Sequence, residues 1–261
     1  MILLKSKEEI EKIREGGKIL SAVLVEMMKA AAPGVTTWEI DELCGRLMKD
    51  AGGKSSFLGY RSPGDRRAYP TNACLSVDGE VVHAPADEKR VLKEGQLLKL
   101  DVGLSYKGMC TDMAATVGIG RISTGAERLM VVTRKCLLLG IEKTRKGGWI
   151  SDIGKAVDKL ARQEGYSTVK DLVGHGVGRY VHEDPRIPNY FDSEMDPVRI
   201  GVGMVLAIEP MINAGDDEVH TLDDDWTVAT TDGELSAHWE ATVAITEDGT
   251  EIMTPIPEIR L

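Results

Sequence analysis

The chain has 261 residues, of which 42 % are apolar and 28 % are charged, the balance of a globular protein with a sizeable core. Its formal net charge of -10 argues against nucleic acid as a main ligand, because phosphate binding needs clustered lysine and arginine side chains. The first residues become charged at Lys5 and no apolar run is long enough to span a bilayer, so we expect no signal peptide and no membrane span.

Two helices are predicted at the start of the chain. Ser6 to Glu9 forms a capping box, apolar residues follow at helical spacing, and Ala32-Pro33-Gly34 ends this first helix. A second capping box begins at Thr36, and its helix stops at Gly52-Gly53. From residue 74 to residue 120, short alternating apolar runs separated by turns predict strands.

The same order of elements returns in the second half. A helix is predicted from about 124 to 145, an amphipathic helix then ends at Gly165, and strand-like runs lie near 203–210 and 236–246. Positions of the two amphipathic helices match at an offset of 113: Ile40 with Ile153, Cys44 with Val157, Leu47 with Leu160, and Gly52 with Gly165. This match predicts a duplicated architecture, and the alternative is a chance match of two amphipathic helices.

No low-complexity segment or long linker separates the halves. We therefore predict a single α+β domain whose halves, roughly residues 1–120 and 121–261, share one core and meet at a central site.

A carboxylate stands in the apolar centre of a predicted strand in the first half. Asp101 follows Leu97 to Leu100, and a tight turn at Lys107-Gly108 leads back past Asp112. With this turn at the centre of a hairpin, Asp101 lies opposite Ala114, and Asp112 is its diagonal neighbour on the same face, about 7–8 Å away. Two like charges this close repel each other unless a cation lies between them.

The second half repeats this arrangement. Glu209 ends an apolar strand six residues after Gly203, and Asp101 likewise stands six residues after Gly95. A later strand carries Glu240, so each half offers a hairpin-like pair of carboxylates. Any one of them fits a surface position equally well, but four in two matching pairs indicate a metal, because unpaired buried carboxylates are costly.

Three of the five histidines lie in segments that suit a ligand site. His175 and His182 flank a glycine-rich segment in which no helix is expected, and the glycines allow backbone and imidazole to approach a ligand closely. His83 lies where a strand runs into a turn. A lone histidine is more often a structural or surface residue than a ligand. His220 and His238 are interpreted as surface residues or as residues behind the ligands.

Four carboxylates and one imidazole make an oxygen-rich site. Such ligands favour Mn, Fe(II), Co or Mg over a thiolate-type zinc site. Two divalent ions neutralise four carboxylates more naturally than one ion, and two ions about 3.5–4 Å apart can polarise a carbonyl and activate a water.

The four cysteines are isolated in the chain, with no C-x-x-C pair. This pattern favours a reducing, cytoplasmic environment over a disulfide scaffold or a zinc knuckle. They are Cys44, Cys74, Cys110 and Cys136.

Six motifs occur in order and at suitable spacing along nearly the whole chain. They are Leu100-Asp101-Val102, Thr111-Asp112, Gly174-His175-Gly176-Val177-Gly178, His182-Glu183-Asp184-Pro185, Ile208-Glu209-Pro210-Met211 and Trp239-Glu240-Ala241-Thr242. As a set they resemble the type I methionine aminopeptidases. The resemblance implies the pita-bread fold, in which two pseudo-symmetric α+β halves surround a dinuclear metal centre.

The resemblance also implies a role for each site residue. The implied metal ligands are Asp101 on one ion, Asp112 and Glu240 bridging both ions, and His175 and Glu209 on the other ion. His83 and His182 would flank the substrate and steady the scissile amide, and Glu209 would shuttle the proton of the attacking water. The implied lining of the methionine side-chain pocket is Phe57, Tyr60, Tyr69, Cys74, Val181 and Trp226.

The implied activity is hydrolysis that removes the N-terminal methionine of nascent polypeptides when the second residue is small. The implied cofactors are two divalent ions drawn from Co, Mn, Fe(II) and Zn. We expect a cytoplasmic monomer that recognises no nucleic acid directly and does not bind a membrane. Whether it meets nascent chains at the ribosome is left open.

Three features depart from the familiar bacterial pattern. Ala84 stands where Gly is commoner, Phe57 stands where Cys is frequent, and Arg61 to Arg66 resembles a short insertion near the pocket rim. These changes concern the shape of the pocket rather than the metal chemistry. No large insertion separates His182 from Glu209, which disfavours the type II branch.

Two other functions stay open. A proline-directed aminopeptidase of the same fold usually carries an extra N-terminal domain, whereas the first helix is predicted here from about residue 6. A non-catalytic peptide-binding module typically loses metal ligands, whereas all five ligand positions are filled here. Metal analysis followed by cleavage of Met-Ala and Ala-Pro peptides distinguishes the three.

Overall fold

The computed structural model describes residues 1–61 and 66–259. In these ranges the helices are Lys7–Ala30 (α1), Thr37–Asp50 (α2), Thr124–Lys143 (α3) and Ile150–Gln163 (α4). The strands of the first half are Lys54–Ser55 (β1), Ala73–Val77 (β2), Glu80–Val82 (β3), Leu97–Tyr106 (β4) and Met109–Gly118 (β5). The strands of the second half are Ser167–Thr168 (β6), Gly174–Gly176 (β7), Glu183–Ile187 (β8), Val205–Ile208 (β9), Met211–Asn213 (β10), Val219–Thr221 (β11), Val228–Thr230 (β12), Ser236–His238 (β13), Glu240–Thr246 (β14) and Gly249–Ile252 (β15).

The first two helices begin at the predicted capping boxes. The Ser6 hydroxyl accepts a hydrogen bond from the Glu9 amide at 3.2 Å, and the Glu9 carboxylate accepts one from the Ser6 amide at 2.8 Å. The same reciprocal pair precedes α2. These contacts satisfy amides that would otherwise lack partners at a helix start, which explains why both predicted starts are confirmed. Among the described helices, none combines the length and the apolar character that crossing a membrane requires.

The two halves repeat each other closely. Helices α2 and α4 each have 14 residues and begin 113 residues apart, and α1 and α3 end at the same offset. The residue before each short helix makes an isolated antiparallel bridge to a later segment: Thr36 to Val91, and Trp149 to Arg199. A chance match of two amphipathic helices does not produce matching bridges, so the predicted duplication is confirmed.

Strands of both halves form one antiparallel sheet, with the order β1-β4-β5-β14-β9-β7-β8 among the described residues. Strand β2 adds to β4, and β15 adds to β14. At the centre β5 of the first half pairs with β14 of the second half, where Ala114 lies opposite Glu240. The two halves therefore meet through backbone hydrogen bonds.

The alternation of side chains along these strands separates an apolar face from a polar one. Leu98, Leu100 and Val102 of β4 belong to the main apolar core, and the helix α1 packs on β4 and β5. Asp101 lies between two of these residues, so its side chain points to the opposite face. The same alternation holds on β5, β9 and β14, which directs the carboxylates away from the helices.

The second half is less regular than the sequence predicts. The predicted strand at 203–210 is limited to β9, and the one at 236–246 is interrupted at Trp239. Glu209 and Glu240 do lie on or beside neighbouring antiparallel strands, but four strands separate them in the chain, so they do not form a simple hairpin. The glycine-rich segment around His175, predicted to be irregular, contains the short strand β7.

Candidate metal centre and adjoining cleft

The register of the central strands brings the carboxylates of both halves together. The turn at Lys107-Gly108 puts Asp101 opposite Ala114, as predicted. Ala114 in turn lies opposite Glu240 of β14. Asp101 and Glu240 therefore flank Ala114 from the two sides, and Asp112 stands two residues from it on the same strand.

Ligand atoms of the predicted metal residues converge in two groups. Within each group the atoms lie within 4.8 Å of one another. One group is Asp101, Asp112 and Glu240, and the other is His175, Glu209 and Glu240. The shared member is Glu240, and the two groups together contain all five predicted ligands. A further group combines Asp112 and His175 with His182.

Several oxygens in the first group accept no hydrogen bond from the described residues. They are Oδ1 of Asp101, Oδ1 of Asp112 and Oε1 of Glu240, each buried. Buried polar atoms without a partner are rare in folded proteins, because desolvation costs about 1–3 kcal/mol for each. A divalent cation would satisfy all three oxygens, and oxygen ligands with one imidazole suit such an ion. The residues present therefore fit a metal.

The electrostatics of the carboxylates support the same conclusion. Burial raises the pKa of Asp101 to about 7. Burial, followed by the charges of Glu240 and Asp101, raises the pKa of Asp112 well above its ordinary value. Burial and the neighbouring carboxylates raise the pKa of Glu209 and of Glu240 in the same way. The protein alone cannot hold four ionised carboxylates here, and a bound cation would favour their charged forms.

The imidazole of His175 is oriented for ligation. Its Nδ1 lies 2.9 Å from the carbonyl oxygen of Gly176, so an Nδ1–H can donate there and leave the lone pair on Nε2. Nε2 lies 3.3 Å from Oε1 of Glu209 and 3.9 Å from Oδ2 of Asp112. Burial lowers the pKa of His175 to about 3, which keeps the ring neutral at pH 7.

A cavity of about 680 Å³ opens beside these residues, within the size range of small-ligand sites. The predicted pocket residues that line it are Phe57, Tyr60, Tyr69, Cys74 and Trp226. The ring of Tyr69 contacts Trp226 edge to face, with centroids 5.1 Å apart. Val181 is not part of the lining but lies buried in the same apolar cluster. The cavity thus has an apolar wall next to the carboxylates.

The two histidines predicted to flank the substrate both line this cavity. His83 follows β3 with a φ of 64°, a left-handed conformation that is uncommon for a residue with a side chain. Nδ1 of His182 lies 2.7 Å from the hydroxyl of Tyr60. The rings of His175 and His182 meet edge to face, with centroids 4.5 Å apart, which connects the candidate metal ligands with the histidines of the cavity.

A buried ion pair anchors the segment that carries His182. Nζ of Lys5 lies 2.5 Å from Oε2 of Glu183, and both side chains are almost fully buried. The other oxygen of Glu183 accepts a hydrogen bond from the Tyr180 amide at 2.9 Å. This pair ties the N-terminal segment to the residue next to His182.

The structure distinguishes the two histidines for which the sequence left two positions open. His238 is only 1 % exposed and lies 3.7 Å from Glu209, so of the two positions it takes the one behind the candidate ligands. His220, in contrast, is exposed on β11. The signal was the spacing, because His238 precedes Glu240 by two residues, the period that puts strand residues on one face. Most of the predicted insertion, residues 62–65, lies outside the described residues.

Sequence and structure comparisons identify proteins that this chain resembles. The profile of metallopeptidase family M24 matches residues 11–247. A methionine aminopeptidase of Clostridium perfringens is 41% identical over 257 residues, which are 98% of this chain and 100% of that protein. The crystal structure of a methionine aminopeptidase from Thermotoga maritima is 38% identical, with a TM-score of 0.91 over 97% of this chain and 99% of that one. A prolidase from Pyrococcus furiosus shares the fold at 22% identity and a TM-score of 0.77, over 98% of this chain and 66% of that one.

Proposed function

The chain belongs to metallopeptidase family M24 and has its pita-bread fold, and from this premise we propose that it removes the N-terminal methionine of polypeptides whose second residue is small. It is a metal-dependent aminopeptidase and thus a hydrolase. One observation carries the proposal. Five candidate ligand side chains, three of them with a buried, unpartnered oxygen, converge beside a cavity with an apolar wall.

We propose that the cofactor is a pair of divalent ions, drawn from Co, Mn, Fe(II) and Zn. Asp101 would hold one ion and His175 with Glu209 the other, while Asp112 and Glu240 would contact both. Glu240 is common to the two groups of ligand atoms, which supports its bridging role. The ions would supply Lewis acidity toward a peptide carbonyl and an attacking water.

The protein's own residues would perform the remaining work. Phe57, Tyr69 and Trp226 would surround the methionine side chain with apolar surface. His83 and His182 would donate to or accept from the scissile amide, holding its carbonyl next to the carboxylates. Glu209 would take a proton from the attacking water and pass it to the leaving amine, because its carboxylate lines the cavity beside the other proposed ligands.

We also propose that the enzyme is a cytoplasmic monomer that acts on nascent chains, at the ribosome or elsewhere. Its halves, about residues 1–120 and 121–261, would form one catalytic domain. The four buried free cysteines and the net charge of -10 support a reducing environment and no direct recognition of nucleic acid.

Metal analysis and peptide cleavage test the proposal. The metal-free protein is loaded with Mn²⁺ or Co²⁺ and offered Met-Ala-Ser, Ala-Pro-Ser and Leu-Ala-Ser peptides. We expect about two ions per chain and release of methionine only. Release of alanine from Ala-Pro-Ser would favour the proline-directed alternative, and tight peptide binding without cleavage would favour the non-catalytic one.

A further inference from the structure

His238 is a buried imidazole that has no hydrogen-bond partner for either ring nitrogen among the described residues. Its backbone is held on both sides by Thr116, whose hydroxyl accepts from the His238 amide at 2.9 Å and donates to its carbonyl at 2.7 Å. The direction in which the Cβ atom of His238 leaves the backbone is therefore fixed. A buried polar ring without partners calls for an explanation beyond packing.

The nearest carboxylate to this ring is Glu209. Nε2 of His238 lies 3.7 Å from Oε2 of Glu209, whereas the other oxygen, Oε1, lies 3.3 Å from Nε2 of His175. The two oxygens of Glu209 thus face two different imidazoles. A separation of 3.7 Å is slightly longer than a hydrogen bond, and such contacts commonly shorten when a site is filled.

His238 does not belong to the ligand groups. Each set of converging ligand atoms in the described residues includes a carboxylate and excludes His238. A neutral imidazole outside the ligand set can donate one N–H to a ligating carboxylate, and such outer contacts orient the ligands of metal sites.

We propose that His238 is a positioning residue for Glu209, donating Nε2–H to Oε2 so that Oε1 is directed to the metal and the carboxylate is held for proton transfer. This inference rests on the proposed function of the site. It adds a group that lies behind Glu209 and touches neither the substrate nor the ions.

Two amide substitutions at His238 distinguish a hydrogen bond donated to Glu209 from a side chain that only fills space. A glutamine amide nitrogen can reach roughly the position of Nε2, whereas an asparagine amide nitrogen reaches only that of Nδ1. His238→Gln therefore keeps the donor to Glu209, and His238→Asn removes it while retaining a polar amide. His220→Asn is the matched control, because that histidine is exposed.

The readouts are Mn²⁺ affinity by calorimetry, the absorption spectrum of the Co²⁺ form, kcat and KM on Met-Ala-Ser, and thermal unfolding. We expect His238→Asn to lose about 10–100-fold in metal affinity or in kcat, with KM changed less than kcat. His238→Gln is expected to recover most of that loss and the Co²⁺ spectrum. Equal metal affinity and kcat in wild type and His238→Asn would overturn the proposal, as would a folded His238→Gln as impaired as His238→Asn.

A measurement on the unsubstituted protein covers the case in which a variant does not fold. Nitrogen NMR of histidine-labelled, Zn²⁺-loaded protein is expected to show His238 with its proton on Nε2. A proton on Nδ1 instead would overturn the proposal. Failure of the wild type to bind metal or to release methionine would count against the proposed function. A difference between the His238 variants concerns only the positioning role of His238.

Discussion

In the first half, Asp101 and Asp112 stand on two ten-residue strands joined by the turn Lys107-Gly108. In the second half, Glu209 and Glu240 are separated in the chain by four further strands. Both halves nevertheless direct a pair of carboxylates to the same place, because β5 and β14 pair at the centre of the sheet. Duplication therefore preserves the positions of the charges while the connecting chain changes.

The halves also differ at the positions two residues before each carboxylate. Lys99 precedes Asp101, while Ala207 precedes Glu209. Likewise, Cys110 stands two residues before Asp112, while His238 stands two residues before Glu240. The repeated scaffold thus supplies the four carboxylates proposed as metal ligands, and the residues beside them make the two halves chemically unequal.

The largest expected effect distinguishes the roles of Asp101, on β4, and Glu209, which follows β9. Asp101→Asn should weaken metal binding but recover activity at saturating metal, because this residue is proposed only as a ligand. Glu209→Gln should lose about 10²-fold or more in kcat even with metal bound, because it would also transfer the proton. Steady-state kinetics across a metal titration, with thermal unfolding as the control for folding, compares the two. Near-wild-type kcat for Glu209→Gln with metal bound would contradict the unequal roles.

The next effect concerns the size of the second residue of the peptide, which would lie between histidines from the two halves. His83 comes from the first half and His182 from the second, and both must reach the scissile amide. A bulky second side chain would displace the carbonyl, and a displacement near 1 Å can cost about 10²-fold. We expect kcat/KM on Met-X-Ser peptides to fall from X = Gly, Ala or Ser to X = Leu or Lys. Equal values for Met-Gly-Ser and Met-Leu-Ser would refute this preference and leave the aminopeptidase activity standing.

A smaller effect tests the unequal pair Lys99 and Ala207. Burial lowers the pKa of Lys99 from 10.5 to about 7, and its Nζ donates to the Asp78 carbonyl at 2.6 Å. Between pH 7 and 10.5 the unfolded chain therefore binds a proton that the folded chain lacks, so the stability contributed by Lys99 rises with pH. Lys99→Met should stabilise the metal-free protein by about 1–3 kcal/mol at pH 6 and by progressively less toward pH 10.

Urea unfolding at pH 6, 8 and 9.5 in the presence of a chelator measures this difference. The matched control is Lys93→Met, because Lys93 is exposed. A stability difference between Lys99→Met and wild type that does not change with pH would show that the ammonium is not desolvated as the packing indicates.

The smallest expected effect concerns Gly95 and Gly203, which each stand six residues before a carboxylate. The backbone φ angles are +94° at Gly95, which precedes Asp101, and +88° at Gly203, which precedes Glu209. An alanine at either position would cost about 1–2 kcal/mol, because a left-handed backbone crowds a side chain. Gly203→Ala should cost more, since its Cβ would lie 3.2 Å from the Lys5 carbonyl oxygen, whereas the Cβ at Gly95 would lie 3.9 Å from that of Arg121.

Equilibrium unfolding of the two glycine variants in urea tests this order. Gly34→Ala, with a φ of +92° and open space around its Cβ, gives the cost of conformation alone. A loss of stability in Gly95→Ala as large as that in Gly203→Ala would indicate that the contact with Lys5 does not matter.

Local interactions explain what the sequence determined by itself. The capping residues at Ser6 and Thr36 set the helix starts, because a side chain satisfies amides only a few residues away. The turn at Lys107-Gly108 set the register that puts Asp101 opposite Ala114, because a tight turn leaves a hairpin one pairing. The four carboxylates proposed as ligands could likewise be picked out from the sequence, since they stand in or beside apolar strands and their motifs resemble a known family.

Only the tertiary structure decided which distant segments meet. The pairing of β5 with β14 brings Glu240 beside Ala114, and no local interaction along the chain specifies that pairing. The same packing buries His238 behind Glu209 and removes Val181 from the lining of the cavity. These outcomes depend on how the whole chain buries its apolar surface, because a side chain's surroundings are made mostly by residues remote in sequence.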